Sequence, residues 1–322
     1  MEKPFVLNLD GDHVLVDVIV TPGFVLTEFA AIIDALRTAN RVTPRTIFRW
    51  KIRSQHGGDI ISSSAAIVRT EPFEAKPDVT YLFVVGNTDQ DCPDLSMGGT
   101  IRRYTQRGAR VFLLAEAASR YIEEQGSKAA GLSTHWENSA VLRERSGLIE
   151  ASDSIASVKG SIVTCAGMGT TLDVVLAVVG QHIPAAALVT LANIFLHEKI
   201  RDFDTRQPFA GTSGNTTGDA LLDRAISLMR TNMEEPLSIS DIVEEIGVSD
   251  RSLERRFRAV LNSTPVSFYR QLRLSQANNL LVNTSLPIRE VGLACGFPNG
   301  FSVTYRAHFG MTPLERRKQR KR

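Results

Sequence analysis

LSISDIVEEIGVSDRSLERRFRAVL, Leu237 to Leu261, decides how the C-terminal part of this chain folds. Ile239, Ile242, Val243 and Ile246 recur at i, i+3, i+4 and i+7, the apolar stripe of a short helix. Ser238 with Asp241 three residues on predicts a capping box, and Gly247 suits the left-handed residue that closes such a helix. Ser249 can cap a second helix. In it Leu253, Phe257, Val260 and Leu261 share one face, and Arg251, Arg255 and Arg258 share roughly the opposite one. A buried helix, a tight turn, then a helix with an apolar back and an arginine front predict a helix-turn-helix that reads DNA. For one isolated copy, a helical hairpin with a solvated charged face fits as well.

A second copy removes that ambiguity. Ile288, Val291, Gly292 and Cys295 repeat Ile239, Ile242, Val243 and Ile246 at an offset of 49, and Gly296 repeats Gly247. After the turn the offset is 48, so Phe301, Tyr305, Phe309, Thr312 and Pro313 answer Leu253, Phe257, Leu261, Thr264 and Pro265. Two like supersecondary units are implied, with one connecting helix over Val266 to Thr284. RLSQANNLL, then ACGF, then FSVTYRAHFGMTPLERR resemble the signature of AraC-type transcriptional regulators. The resemblance covers about the last third of the chain. It implies a pair of helix-turn-helix units joined by one long helix, with promoter DNA and RNA polymerase as partners.

The two copies differ as readers. Where the first carries Arg251, Arg255 and Arg258, the second carries Asn299, Val303 and Arg306. Arginine is the commonest specific reader of guanine in the major groove, so the first unit is expected to carry more of the direct readout. The expected DNA contacts are Ser249, Arg251, Ser252, Arg255 and Arg258 from the first unit, and Asn299 and Arg306 from the second. Arg270, Arg273 and the terminal ERRKQRKR are expected at phosphates.

Charge supports this division. From Asp219 onward there are 16 Lys and Arg against 11 Asp and Glu, a balance of +5, while the preceding 218 residues carry −3. A basic block attached to a slightly acidic body fits a nucleic-acid-binding domain joined to something else. Cys92, Cys165 and Cys295 have neither a paired nor a CxxC spacing, so neither a disulfide framework nor a metal site is implied, and no cofactor is expected. The first residues, MEKPFVLNLDGDH, lack a secretory pattern, and the most apolar run is far short of the ~20 residues of a membrane span. A cytoplasmic protein is the expectation.

Toward the N-terminus the pattern changes. Val14 to Val20, FRWKIRS, VTYLFVVGN, ARVFLLA and SIVTCAG read as strands, alternating with helices around Phe29 to Leu36, at Ile101 to Gln106, behind ARVFLLA, and at Leu172 to Val179. Gln181 to Lys199 reads as a further helix. Strands alternating with helices predict a three-layer α/β fold with a parallel sheet covered on both faces. AGTSGNTTG, Ala210 to Gly218, reads as a flexible linker between a domain of residues 1–209 and a DNA-binding domain of residues 219–322. PGF before AAIIDALRTAN, then LFVVGN, LSTHWENSA, TCAGMGTTLDVVL and RDFDTRQ resemble, in that order, the PfpI-type, glutamine-amidotransferase-like domain. In one branch of AraC-type regulators that domain precedes the DNA-binding pair.

Enzymes of that superfamily set a cysteine on a sharp strand-to-helix turn, assisted by an acid of the first helix. The matching turn here falls within Leu114 to Ala118 and holds no cysteine. Asp34 stands where the first-helix acid is expected. Cys165, on an apolar strand, reads as a small buried hydrophobe, and Cys92 lies among carboxylates. There is no GxSxG elbow, GxGxxG motif or Walker loop. A catalytically silent sensor is expected, with its pocket beyond the C-terminal ends of the strands. Asp34, Glu116, His135, Trp136 and Glu137 are its expected lining. The resemblance implies a small nitrogenous effector, and carboxylates beside an aromatic ring suit a cation. The reading is a homodimeric, sequence-specific regulator, by default an activator, controlled by such an effector. An amidase- or deglycase-like hydrolase tethered to DNA is the alternative from another class, and a non-specific DNA-binding scaffold is a third.

Overall fold

The structure, a computed structural model, describes residues 13–89, 91–146, 151–207 and 217–319. Contacts divide the chain into two compact units, one of residues up to Ser139 and from Leu148 to Thr205, the other mainly Arg206–Arg322. Most of the expected linker, 210–216, lies outside the described residues.

The first unit runs β1 (Val14–Ile19), α1 (Leu26–Val42), β2 (Phe48–Ser54), β3 (His56–Ile61), β4 (Ile67–Pro72), β5 (Tyr81–Val84), α2 (Gly98–Gln106), β6 (Arg110–Leu114), α3 (Glu116–Gln125), the start of α4 (Trp136–Ser146, assigned to the second unit from Ala140 on), β7 (Ala156–Lys159), β8 (Ile162–Cys165), α5 (Met168–Val179) and α6 (Ala185–Ile194). One sheet holds all eight strands in the order β3-β4-β2-β1-β5-β6-β8-β7. The strands from β4 to β8 in that order are parallel, as expected. The sheet is mixed rather than purely parallel, because β3 and β7 each run antiparallel along an edge. β3 is formed by HGGDII, whose glycines and charge hid the strand from a reading of apolar alternation.

Alternation along the central strands builds two cores. Val14, Val16 and Val18 of β1 turn toward α1, α5 and α6, together with Ile32, Leu36, Val175 and Leu191. Ile19, Leu82, Val84, Val111 and Leu113 turn the other way, toward Ile101, Tyr104 and Ala118 of α2 and α3. The long helix expected over Gln181 to Lys199 is the shorter α6. Pro184 stands just before its first residue, and Leu196 past its end adopts φ +52°. Beyond it, the fully buried Asp173 of α5 accepts hydrogen bonds from Arg201 N, Nε and Nη2 at 2.8, 3.0 and 2.6 Å, and His197 Nε2 lies 2.9 Å from the same carboxylate. The segment after α6 is thereby tied back to the unit it leaves.

The second unit is all helical: α7 (Ala220–Thr231), α8 (Ile239–Ile246), α9 (Asp250–Leu261), α10 (Pro265–Asn283), α11 (Ile288–Ala294), α12 (Phe301–Phe309) and α13 (Pro313–Gln319). α10 is the expected connecting helix, starting one residue earlier and ending one earlier. Its first half packs Tyr269 into a core with Leu222, Met229, Ile242, Leu253 and Phe257. Its second half packs Leu274, Ala277 and Leu281 against Val291, Phe301 and Tyr305. One helix therefore serves as the spine of two cores.

Candidate functional site

In an α/β sheet of this order the crevice for a ligand lies where neighbouring strands send their connections to opposite faces, here beyond the C-terminal ends of β1 and β5. The segments there meet closely. Asn87, after β5, donates from Nδ2 to Thr21 Oγ1 at 2.9 Å and to the Pro22 carbonyl at 2.7 Å. Gly86 donates its N–H to Glu28 Oε2 at 2.8 Å. A Cβ on Gly86 would stand 2.9 Å from both Glu28 Oε2 and Glu116 Oε2, so only glycine lets the two carboxyls converge on this backbone.

The strand-to-helix turn between β6 and α3 is built on Ala115, at φ +43° and ψ −111°. A non-glycine residue in that region is strained. Ala115 is held there by its N–H donating to the Cys165 carbonyl at 2.9 Å and by its carbonyl accepting from Ser119 N at 3.1 Å. The turn thus has the sharp form a nucleophile needs and carries a methyl group.

The first-helix acid at this turn is Glu28, not Asp34. Six residues apart on α1, the two lie on different faces. Glu28 is fully buried, whereas Asp34 is half-exposed and pairs with Arg37 at 2.9 Å. A stripe of Glu28, Ile32, Ala35 and Ala39 at i, i+4, i+7 and i+11 was the sequence signal for it. Burial pushes the Glu28 carboxyl up to about 8, with the Gly86 N–H opposing and the Glu116 charge adding. Its Oε1 is buried without a hydrogen-bond partner. Burial likewise raises Glu116 to about 7, opposed by backbone N–H groups and Asn138 and reinforced by Glu137.

Among the other expected lining residues, His135 lies against α5, with its Cδ2 3.1 Å from where a Gly167 Cβ would stand. Burial holds its imidazole below the usual range, so the 3.6 Å approach of Glu137 is not an ion pair at neutral pH. The Trp136 ring centroid lies 5.4 Å from that of His135. Asn138 donates to Ser119 Oγ at 2.9 Å, wiring the start of α4 to α3. Cys165 is fully buried, its Sγ 2.8 Å from Thr170 Oγ1, and burial pushes its thiol up to about 12. A separate cavity of about 700 Å³ opens beside Asp17, Phe48, Trp50, Arg53 and Glu74. There the buried Arg53 Nε donates to Asp17 Oδ2 at 2.7 Å. No cluster of histidine, cysteine and carboxylate side chains suited to a metal ion occurs among the described residues.

In the helical unit, Ser238 and Asp241 form the capping box with bonds of 2.9 and 3.1 Å, Gly247 takes φ +73°, and Ser249 Oγ accepts from Ser252 N at 3.3 Å. Leu253 and Phe257 are fully buried, which turns Arg251, Arg255 and Arg258 outward. Arg258 also bonds Glu254 one turn back at 3.1 Å, an exposed pair of little energetic weight. On α12 the buried Phe301 and Tyr305 turn Val303 and Arg306 outward, and Asn299 is exposed just ahead of the helix. Arg270 is exposed.

Arg273 corrects the expectation of a phosphate contact. It donates to the Gly296 carbonyl at 2.9 Å, and its guanidinium lies 4.6 and 5.3 Å from the ring centroids of Phe297 and Tyr269. Burial lowers its pKa. Spaced four residues from both Tyr269 and Ala277, it sits on the buried stripe of α10 and struts the two cores. Arg316 in the terminal basic run similarly bonds Asn278 at 3.0 Å, while residues 320–322 lie outside the described residues. Among the described residues no helix is long and apolar enough to cross a membrane.

Two helix-turn-helix units on one spine, preceded in the chain by an amidotransferase-like unit, define the class of a DNA-binding regulator. A family model described as a helix-turn-helix domain matches residues 242–319. The HTH-type transcriptional regulator CdhR of Pseudomonas aeruginosa is 30% identical over 304 residues, covering 92% of this chain and 89% of the relative. GbdR of the same species is 28% identical over 315 residues, covering 92% and 82%. A solved structure from Vibrio parahaemolyticus, described as a candidate transcriptional regulator, spans 57% of this chain and 99% of its own. Its TM-score is 0.50 at 15% identity, a likeness of fold alone. The chain belongs to the AraC family of HTH-type transcriptional regulators.

Proposed function

We propose that this regulator binds promoters as a homodimer in the cytoplasm and by default activates transcription by RNA polymerase, under control of a small nitrogenous or cationic effector. Residues 210–218 join its sensor to the DNA-binding domain. Arg251, Arg255 and Arg258, supported by Ser249 and Ser252, lead the base readout. Asn299 and Arg306 contribute from the second unit, and Arg270 meets phosphate.

The observation that carries the sensor reading is Ala115: a strained elbow whose side chain is a methyl group cannot attack a substrate. The nearby thiol of Cys165, pushed up to about 12, is a poor substitute, since the thiolate is the reactive form. What the elbow retains is a pair of carboxyls, Glu28 and Glu116, whose ionised forms are disfavoured by burial. A cation seated beside them would favour ionisation, and Trp136 offers a ring face of the kind such ligands use. His135 and Glu137 complete the lining. A second reading places the effector in the cavity beside Asp17 and Trp50, which has a volume usual for small-molecule sites.

Calorimetric titration with quaternary ammonium compounds and basic amino acids tests both. Binding abolished in Trp136→Leu but kept in Trp50→Leu supports the elbow. The reverse moves the effector to the cavity, and no binding of any cation rejects the proposed ligand class. A cysteine alkylated rapidly at neutral pH would restore the hydrolase alternative.

A further inference from the structure

Val303 is the outlier on the second reading helix. The register of the repeat puts it where the first unit has Arg255. Phe301 and Tyr305, on the opposite side of α12, are buried, and Val303 is left 76% exposed in the middle of the outward face. Arg306, three residues after it on that face, and Asn299, just ahead of the helix, are both exposed and both capable of polar contact with DNA. A lone exposed valine on a helix needs no explanation by itself. One placed between two such groups, at the position where the sister helix presents arginine, does.

The isopropyl group has no hydrogen-bonding capacity, so it can read neither a purine edge nor a phosphate. The one apolar feature that a base pair displays in the major groove is the C5 methyl of thymine. A β-branched side chain in a helix is nearly confined to one χ1 rotamer, so little side-chain entropy is lost when it is pressed against that methyl. The same rigidity makes its contact depend on the base being in register. We propose that Val303 is a specificity-determining residue that reads a thymine methyl, so that the second unit recognises thymine where the first recognises guanine. This rests on α12 being a groove-facing helix.

The test starts from duplexes selected by the full-length protein from a randomised pool, in which each thymine of the preferred site is then replaced singly by deoxyuridine. That replacement removes the methyl and nothing else. Wild-type protein should lose about four-fold in affinity at one thymine in the segment assigned to the second unit, the factor that ~0.8 kcal/mol per buried methyl-sized group represents. Val303→Ser, at an exposed position outside both cores, should fold normally and bind thymine and deoxyuridine equally at that place. Its own selected site should show no thymine preference there. Indifference of the wild type to every replacement would overturn the proposal. So would a Val303→Ser variant as sensitive as wild type at the same thymine. If the variant's selected site were unchanged while transcription fell, the face would belong to polymerase instead. If Arg306→Ala also left the selected site unchanged, α12 would not be a groove-facing helix, and the assignment of Val303 would fall with that reading.

Discussion

In the first helix-turn-helix unit polar side chains hold the turn; in the second, the lack of a side chain does. Ser238 and Asp241 fix the start of α8 reciprocally, and at the turn that follows α8 the Ser249 hydroxyl caps α9 while the Gly247 N–H closes α8 on the Val243 carbonyl, so this unit is held by local bonds. Gly247 in that turn has open space where a Cβ would be. α11 and α12 begin at Pro287 and Gly300 with no side-chain cap. Their turn is instead clamped from outside: a Cβ on Gly296 would collide with Pro236 and stand 2.6 Å from the Met233 carbonyl, and Arg273 holds the Gly296 carbonyl. The same backbone path is therefore specified once by hydrogen-bonding residues and once by close approach. The first lock leaves α9 free to vary its outward face, and that is the face dense in arginine.

The largest expected effect would strain this contrast most. Gly296→Ala should destabilise the helical unit by roughly 3 kcal/mol or more, since it adds a backbone collision to a φ of +71°. Gly247→Ala, at an almost equal φ but with no neighbour, should cost about 1 kcal/mol. Urea unfolding of the two variants measures both, and equal losses would remove the distinction between the locks. Next in size, Arg255→Ala should weaken binding to a selected site by about 1–3 kcal/mol and relax discrimination at one guanine. Arg306→Ala should relax discrimination less, and equal relaxation on a panel of mutated sites would show that the units share the readout. The smallest effect is Ser249→Ala, at roughly 1 kcal/mol or less for a lost N-cap. Thermal unfolding checks it, and no change in midpoint would mean that the cap does not hold the turn.

Periodic patterns were legible in the sequence; exceptions to them were not. The apolar stripes gave α8, α9 and α10 nearly to the residue, β1, β5 and β6 came from apolar runs, and β2 from the alternation of Phe48, Trp50 and Ile52 with Arg49, Lys51 and Arg53. β3 and β4 were hidden because both are largely exposed, β3 at the edge of the sheet and β4 next to it, without a strong apolar face. α4 has no strong apolar stripe, whereas α7 carries one in Leu222, Ala225, Ile226 and Met229 behind the Asp219 cap and was open to the same reading as α8. At the elbow, the missing cysteine and the position of the turn are legible directly, but Asp34, expected there from the family resemblance, lies on the more exposed face of α1. Glu28, sharing the buried stripe with Ile32, shows that a charged residue in core register is the one to suspect. Arg273 teaches the same lesson on α10, where its place between Tyr269 and Ala277 outweighs its charge.

The two buried carboxyls at the elbow also make folding a proton-uptake reaction. Glu28 is raised from 4.5 to about 8 and Glu116 from 4.5 to about 7. Between those limits the native chain holds protons that the unfolded chain has released, so stability must fall as pH rises. The contribution is fully present below about pH 4.5 and is lost as pH passes through about 7 and then about 8. Near neutrality, every unfolding event hands protons to the buffer. The heat measured for unfolding this protein will therefore differ between Tris and phosphate by an amount set by the buffers' own ionisation enthalpies, with no change in a single contact.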